Sequence, residues 1–231
     1  MKYDPHLRAP LLTSAGTPLF QARPVGRAPG QSGGWKRGLD IVLALALVLP
    51  VALIVAVLWG LVRLDGGPGF YGHRRVGEGG RAFKCWKLRS MQVDADRALE
   101  RHLQANPAAA REWAASQKLT HDPRVTPLGR ILRATSLDEL PQLWNVLRGE
   151  MSFVGPRPVT GHELMRYGAL DWAYLSGKPG ITGAWQVSGR NDLSYETRVH
   201  LDAAYRSQET LLTDLKIIAK TALEVLKRSG R

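Results

Sequence analysis

Trp35-Lys36-Arg37-Gly38-Leu39-Asp40-Ile41-Val42-Leu43-Ala44-Leu45-Ala46-Leu47-Val48-Leu49-Pro50-Val51-Ala52-Leu53-Ile54-Val55-Ala56-Val57-Leu58-Trp59-Gly60-Leu61-Val62-Arg63 is the stretch on which the fold turns. From Ile41 to Val62 it carries no charge, and 22 residues of helix are enough to cross a bilayer core. Two features oppose a simple span. Pro50 lies near the middle, where it removes an intrahelical hydrogen bond and crowds the preceding turn. Both flanks are basic, with Lys36 and Arg37 before and Arg63, Arg74, Arg75, Arg81, Lys84, Lys87 and Arg89 after, and such residues prefer the cytoplasmic side. A helix that enters, breaks at Pro50 and leaves by one face keeps both flanks there. The expectation is a re-entrant membrane helix over 35–64, with a simple signal anchor as the alternative. Asp40, one turn beyond Lys36 and Arg37, is expected to pair with them as an interface anchor.

Working outward, residues 1–34 are rich in Pro and Gly without a sustained apolar period, which predicts a flexible extension and no signal peptide. Residues 65–231 hold ample material for one cytoplasmic domain. The chain has 32 Lys and Arg against 20 Asp and Glu, a formal charge of +12, so an anionic partner is implied. Nucleic acid, lipid head groups and phosphorylated substrates all qualify; the basic, aromatic stretch 71–89 directly follows a membrane segment, which favours lipid or a phosphorylated ligand over nucleic acid. Cys85 is the only cysteine, which excludes an intrachain disulfide framework and a thiolate zinc site. The six histidines show no ligand-pair spacing.

Phe70-Tyr71 and Phe83 to Leu88 read as the strands of a short β-hairpin. Asp94 to about Leu119 reads as helix in two pieces, parted at Asn106-Pro107. Leu211, Leu212, Leu215, Ile218, Leu223 and Leu226 lie on an amphipathic C-terminal helix, placed either on the domain or on a membrane face. The class is α+β and mainly helical.

Ser136-Leu137-Asp138-Glu139-Leu140-Pro141-Gln142 sets two adjacent carboxylates at a helix start. S-x-x-E is the spacing of a capping box, and local spacing alone favours that structural role. A helix N-terminus would keep Asp138 ionised. Shortly after, Gly155-Pro156-Arg157-Pro158 holds an arginine between two prolines, a rigid mount for a phosphate ligand. Ser176 to Asp192 is a Gly-rich loop bearing Lys178 and Arg190, suited to anions but without Walker spacing.

Taken together, Lys-Arg-x-x-Asp at 36–40, Phe-Lys-x-x-Lys-Leu-Arg-Ser-Met at 83–91, Ser-Leu-Asp-Glu-Leu-Pro-Gln at 136–142, Gly-Glu-Met-Ser-Phe-Val-Gly-Pro-Arg-Pro at 149–158 and Lys-Pro-Gly-Ile-Thr-Gly-x-Trp-Gln at 178–186 resemble the bacterial sugar transferases, the monotopic polyprenyl-phosphate sugar-1-phosphate transferases. The likeness is nearest to members that initiate exopolysaccharide with galactose or glucose 1-phosphate. It implies a phosphotransferase taking UDP-sugar and undecaprenyl phosphate at the cytoplasmic face of the bacterial inner membrane, among its phospholipids. Asp138 would be the nucleophile that expels UMP and carries the phosphosugar. Glu139 would be its partner, and the two carboxylates would work with Mg²⁺ as its ligands. Arg157 and Arg133 would hold substrate phosphate; Lys87, Arg89, Lys178 and Arg190 are further candidate contacts. Leu49 departs from the serine the family commonly places before the membrane proline. Oligomeric state is not fixed by the sequence, a homodimer being one candidate. Two other readings stay open: a single-span, membrane-tethered basic binding protein, and a nucleotide-sugar enzyme of other chemistry carrying an anchor.

Overall fold

A computed structural model describes residues 34–116, 119–189 and 193–226; the expected extension up to residue 33 lies outside them. Helix α1 (Gly34–Arg63) is the longest element. Its helical backbone runs through Pro50, where a break is expected. The missing N–H and the crowding of the preceding turn do not interrupt the helix there, which continues as long apolar helix on both sides.

The run is apolar all round, yet one stripe is packed. Lys36, Asp40 and Ala44 are buried four residues apart, and Val48, Val51, Val55, Leu58 and Val62 continue the stripe against the rest of the chain. The opposite stripe, Val42, Leu45, Leu49, Leu53 and Val57, is 58% to 80% exposed. Both ends of α1 rest on the same body of protein. Lys36 bonds to Tyr205 and Asp214, and Val62 packs with Leu88 and Leu132.

Strands β1 (Phe70–Val76) and β2 (Ala82–Leu88) form the expected antiparallel hairpin, with Phe70 opposite Leu88 and Val76 opposite Ala82. The first strand is longer than Phe70-Tyr71, because cross-strand pairing extends it through the arginines. Helices α2 (Ala95–Ala105) and α3 (Pro107–Ser116) part at Asn106, whose side chain accepts from the N–H groups of Ala108 and Ala109. Then follow α4 (Pro127–Ala134), α5 (Gln142–Leu147), β3 (Ser152–Val154), α6 (Gly161–Met165), α7 (Asp171–Leu175), β4 (Gly180–Thr182), α8 (Tyr195–Ser207) and α9 (Leu211–Leu226).

β3 and β4 pair in parallel, Ser152 with Gly180 and Val154 with Thr182, across the α6–α7 crossover. Beyond β3 the backbones of Gly155 and Gly180 touch: a Cβ on either would strike the other segment's main chain. Only glycine permits that approach, so the arginine-bearing turn and the Gly-rich loop are clamped together. The last helix α9 sits on this pair through Ile217, Ile218 and a 2.7 Å bond between Thr221 and Thr182 hydroxyls. Leu212, Leu215 and Leu223 on its other side stay exposed.

Candidate active site

The dyad is positioned by a relay of local constraints. α4 starts at Thr126, whose hydroxyl accepts from Gly129 N at 2.9 Å, with Pro127 in the first turn. Gly129 presses on the Ser90 carbonyl so closely that any Cβ would collide with it, which fixes α4 to the chain just past β2. Arg133 then donates from Nε to Ser90 Oγ at 2.9 Å.

Ser136 follows in left-handed backbone (φ 57, ψ 17), the one non-glycine with positive φ among the described residues. Such a conformation costs on the order of 1–3 kcal/mol and survives where its surroundings over-determine it. Leu137–Glu139 make a 3₁₀ turn, and α5 begins only after Pro141. The expected capping box at Ser136 is not formed, because an N-cap needs extended backbone and Ser136 is left-handed. The box forms elsewhere with the same spacing: Thr160 caps Glu163 N at 3.2 Å, and Glu163 returns a bond to Thr160 N at 2.7 Å.

Asp138 is buried, with 6% of its surface exposed. Burial raises its carboxyl above the usual range; the Lys87 ammonium opposes that shift, Glu139 adds to it, and Arg133 opposes it. The sequence argument from a helix N-terminus therefore omits the larger effect, which is desolvation. Glu139 has the opposite balance. Burial raises it, but Lys87 and then Arg157 more than compensate, and its carboxyl lies below the usual range. Lys87, on β2, donates to Glu139 Oε1 at 2.5 Å and stands 3.8 Å from Asp138 Oδ2. Two adjacent carboxylates are thus pushed apart, a pattern that separates roles in a pair.

A polar cleft lies against the dyad, lined by Arg75, Cys85, Lys87, Glu139, Gln142, Arg157, Pro158, Gly180, Ile181 and Gln186. Asp138 is not among its lining residues. Arg157 is exposed on its rigid mount, and Arg75 reaches in from β1 while bonded to Glu163 Oε2 at 2.8 Å and His73 Nδ1 at 2.9 Å. Burial, and after it the Arg75 cation, hold the His73 imidazole down at about 4, so it is neutral above that pH. The cleft therefore presents three cations, Arg75, Lys87 and Arg157, beside an ionised Glu139, a surface for phosphate oxygens.

Other expected contacts fall elsewhere. Arg89 is a structural staple, donating to both oxygens of Asp65 and to the carbonyls of Val62, Pro68 and Met91. It ties the end of α1 to β2. The Lys178 ammonium lies beside Gly149, where the Arg37 guanidinium also sits, at the C-terminal end of α5. Arg190 lies outside the described residues. The anchor residues do not pair with one another. Lys36 bonds to Tyr205, Asp214 and Glu209; Arg37 donates to Val146 O and Leu147 O at 2.6 and 2.8 Å; Asp40 accepts from Ser152 Oγ and Phe153 N, both at 2.9 Å. The body of the protein offers carboxylates, helix-end carbonyls and a strand N–H, better partners than neighbours on one helix.

Sequence reasoning did not single out Asn145, fully buried in α5. It accepts from Trp86 N at 3.1 Å and donates to Lys84 O at 2.7 Å, docking α5 on β2 and setting Lys87 beside the dyad. A polar residue inside the apolar pattern Leu143-Trp144-Asn145-Val146-Leu147 was the available signal. Among the described residues no group of three or more His, Cys, Asp or Glu side chains is placed to hold a metal.

The model for bacterial sugar transferases matches residues 31–228. The exopolysaccharide production protein ExoY of Sinorhizobium fredii is 47% identical over 218 residues, covering 94% of this chain and 96% of that protein. The UDP-galactose-lipid carrier transferase of Erwinia amylovora is 53% identical over 196 residues, 84% of this chain and 41% of that protein. The undecaprenyl-phosphate galactose phosphotransferase of Salmonella typhimurium is 50% identical over 196 residues, with the same shares. The chain thus spans less than half the length of the latter two and nearly all of the first. The match over 31–228 settles one conclusion: the chain belongs to the bacterial sugar transferase family.

Proposed function

We propose that the protein transfers a hexose 1-phosphate, galactose or glucose, from a UDP-sugar to undecaprenyl phosphate at the cytoplasmic face of the bacterial inner membrane, initiating exopolysaccharide assembly. The observation that carries this reading is the split dyad: a buried Asp138 beside an ionised Glu139, with Lys87, Arg75 and Arg157 converging on the adjoining cleft. In the first step an Asp138 oxygen attacks the β-phosphorus of the UDP-sugar. A P–O bond forms, the bond to the bridging oxygen breaks, and UMP leaves with that electron pair. In the second step a phosphate oxygen of the lipid attacks the same phosphorus and Asp138 is released. Splitting one displacement into two suits a site able to exclude water from the phosphosugar adduct. Arg157 and Arg75 orient the diphosphate; Lys87 draws Asp138 toward its ionised form.

Mg²⁺ suits this donor set, since it takes one or two carboxylates together with substrate phosphate oxygens. Asp138 and Glu139 would hold it, and its charge would offset repulsion between dyad and diphosphate. α1 enters and leaves by one face of the membrane, a reading supported by the packing of both its ends on one body and by the exposed apolar stripe between them. The test is UMP release from UDP-galactose and UDP-glucose, with intact mass measured before acceptor is added. A phosphohexose adduct on Asp138 is expected. Transfer without an adduct, or with an adduct that persists in Asp138→Asn, overturns the mechanism.

A further inference from the structure

An apolar cavity of about 360 Å³ opens between α1, the hairpin and α5, in the size range of ligand sites. Val51 and Ala52 form its α1 side, Phe70 and Trp86 its hairpin side, and Leu140 and Trp144 its α5 side. Nothing charged lines it. Phe70 and Trp144 are 41% and 55% exposed, so large aromatic surface is left uncovered there.

The cavity and the polar cleft are two sides of one wall. Strand alternation sends Cys85 and Lys87 to the cleft and Trp86, between them, to the cavity. The dyad segment does the same: Glu139 and Gln142 line the cleft, while Leu140, Pro141 and Leu143 line the cavity. Polar and apolar compartments therefore change over within one residue, about 3.8 Å of chain, beside the dyad.

We propose that this cavity binds the phosphate-proximal isoprene units of the lipid acceptor, resting on the acceptor class in the reading above. The junction at Glu139–Leu140 selects the chemistry. A polyprenyl phosphate passes from charged to apolar across a single C–O bond, which matches so abrupt a change. A diacyl phospholipid interposes a polar glycerol ester region, for which the cavity offers no charged, hydroxyl or amide side chain. With the chain held between α1 and α5, the phosphate lies at the cleft edge, and Lys87 and Arg157 are there to meet it. The outward stripe of α1 is apolar, so the chain can enter sideways from the bilayer.

The experiment follows transfer to undecaprenyl phosphate in the wild type, in Ala52→Trp, which fills the cavity, and in Leu53→Trp, an exposed site outside it. Phosphohexose adduct formation on the same preparation, which needs no acceptor, serves as the reference reaction. The kcat/KM for undecaprenyl phosphate relative to the rate of adduct formation is expected to fall about tenfold or more in Ala52→Trp and to stay at the wild-type value in Leu53→Trp. An equal loss of adduct formation and transfer, or no loss, overturns the cavity assignment. A second arm needs no turnover: a diazirine-bearing polyprenyl phosphate should label Leu140 to Trp144 and Val51 to Val55, competed by undecaprenyl phosphate. Equal competition by a diacyl phospholipid, or label confined to the outward stripe of α1, overturns it too. Absence of adduct and transfer in the wild type would instead sink the activity reading and leave the labelling arm to judge the cavity.

Discussion

Lys87 gives its hydrogen bond to Glu139, at 2.5 Å, although the neighbouring Asp138 is the carboxylate that stays raised above its usual range. It therefore acts on Asp138 through its field and on Glu139 through contact as well. Removing the ammonium in Lys87→Met takes away the largest effect opposing the upward shift of Asp138. The acid limb of the kcat/KM profile is expected to move to higher pH, each unit corresponding to about 1.4 kcal/mol. Lys87→Arg should restore most of the profile. An unmoved acid limb in Lys87→Met would remove Lys87 from this role.

Asp138, the proposed nucleophile, is held by the fold at a cost. Its carboxyl is raised in the folded state, so the folded protein binds that proton more tightly than the unfolded chain. Stability falls as pH rises from the ordinary carboxylate range through the raised value, and at neutral pH the whole penalty is present. Asp138→Asn should abolish transfer, by about a thousandfold or more, while raising Tm by a few degrees. Calorimetry and UMP release on one preparation check both; a lowered Tm would mean that the charge is stabilised after all.

Asp40 satisfies two donors of the β3 strand with one oxygen, Ser152 Oγ and Phe153 N. Asp40→Ala leaves both unpaired in a buried place and should cost on the order of 1–3 kcal/mol. Asp40→Asn keeps an acceptor oxygen and should cost less. Denaturant midpoints in detergent rank the two; the reverse order would contradict the assigned contacts.

Single cysteines at Gly34 and at Leu64, which is 82% exposed, report which side each end of α1 faces. Cys85 need not be removed. It is 2% exposed, and burial pushes its thiol up to about 11, so it stays protonated and unreactive near pH 8. Both introduced thiols are expected to react with an impermeant maleimide from the same side of inside-out vesicles. Opposite sides would restore a simple span.

Gly180→Ala places a methyl group against the Gly155 backbone. The clamp between the arginine turn and the Gly-rich loop must then open, at a cost of about 1–3 kcal/mol. Because Arg157 rides on that turn, KM for the UDP-sugar should rise with it. A normal KM in a stable Gly180→Ala protein would show that the clamp does not position Arg157.

Much of the frame was written in local pattern. The uncharged run gave α1, alternation around Phe83 to Leu88 gave the hairpin, and Asn106-Pro107 marked a true helix boundary, because each signal depends on neighbouring residues alone. The site was less legible for the opposite reason. Ser136-x-x-Glu139 and Thr160-x-x-Glu163 share a spacing, and only the second forms a capping box, since Ser136 is left-handed where Thr160 is extended. Lys87 on β2 and Arg89 just past its end lie two apart in one basic stretch, yet Arg89 is consumed by Asp65 and backbone carbonyls while Lys87 reaches the dyad. The short β3–β4 pair depends on glycine contacts between segments far apart in the chain, which no periodicity encodes.

The packed stripe of α1 has a consequence for what counts as a separable part. Val48 on one side of Pro50, and Val51, Val55 and Val62 on the other, complete two of the hydrophobic clusters formed with the residues that follow. A chain begun at residue 65 would lose a wall of its interior along with a tether to the membrane. The transferable unit in fusions of this chain then starts no later than Lys36, whose side chain is buried too, and a segment added on the N-terminal side has to be joined upstream of it.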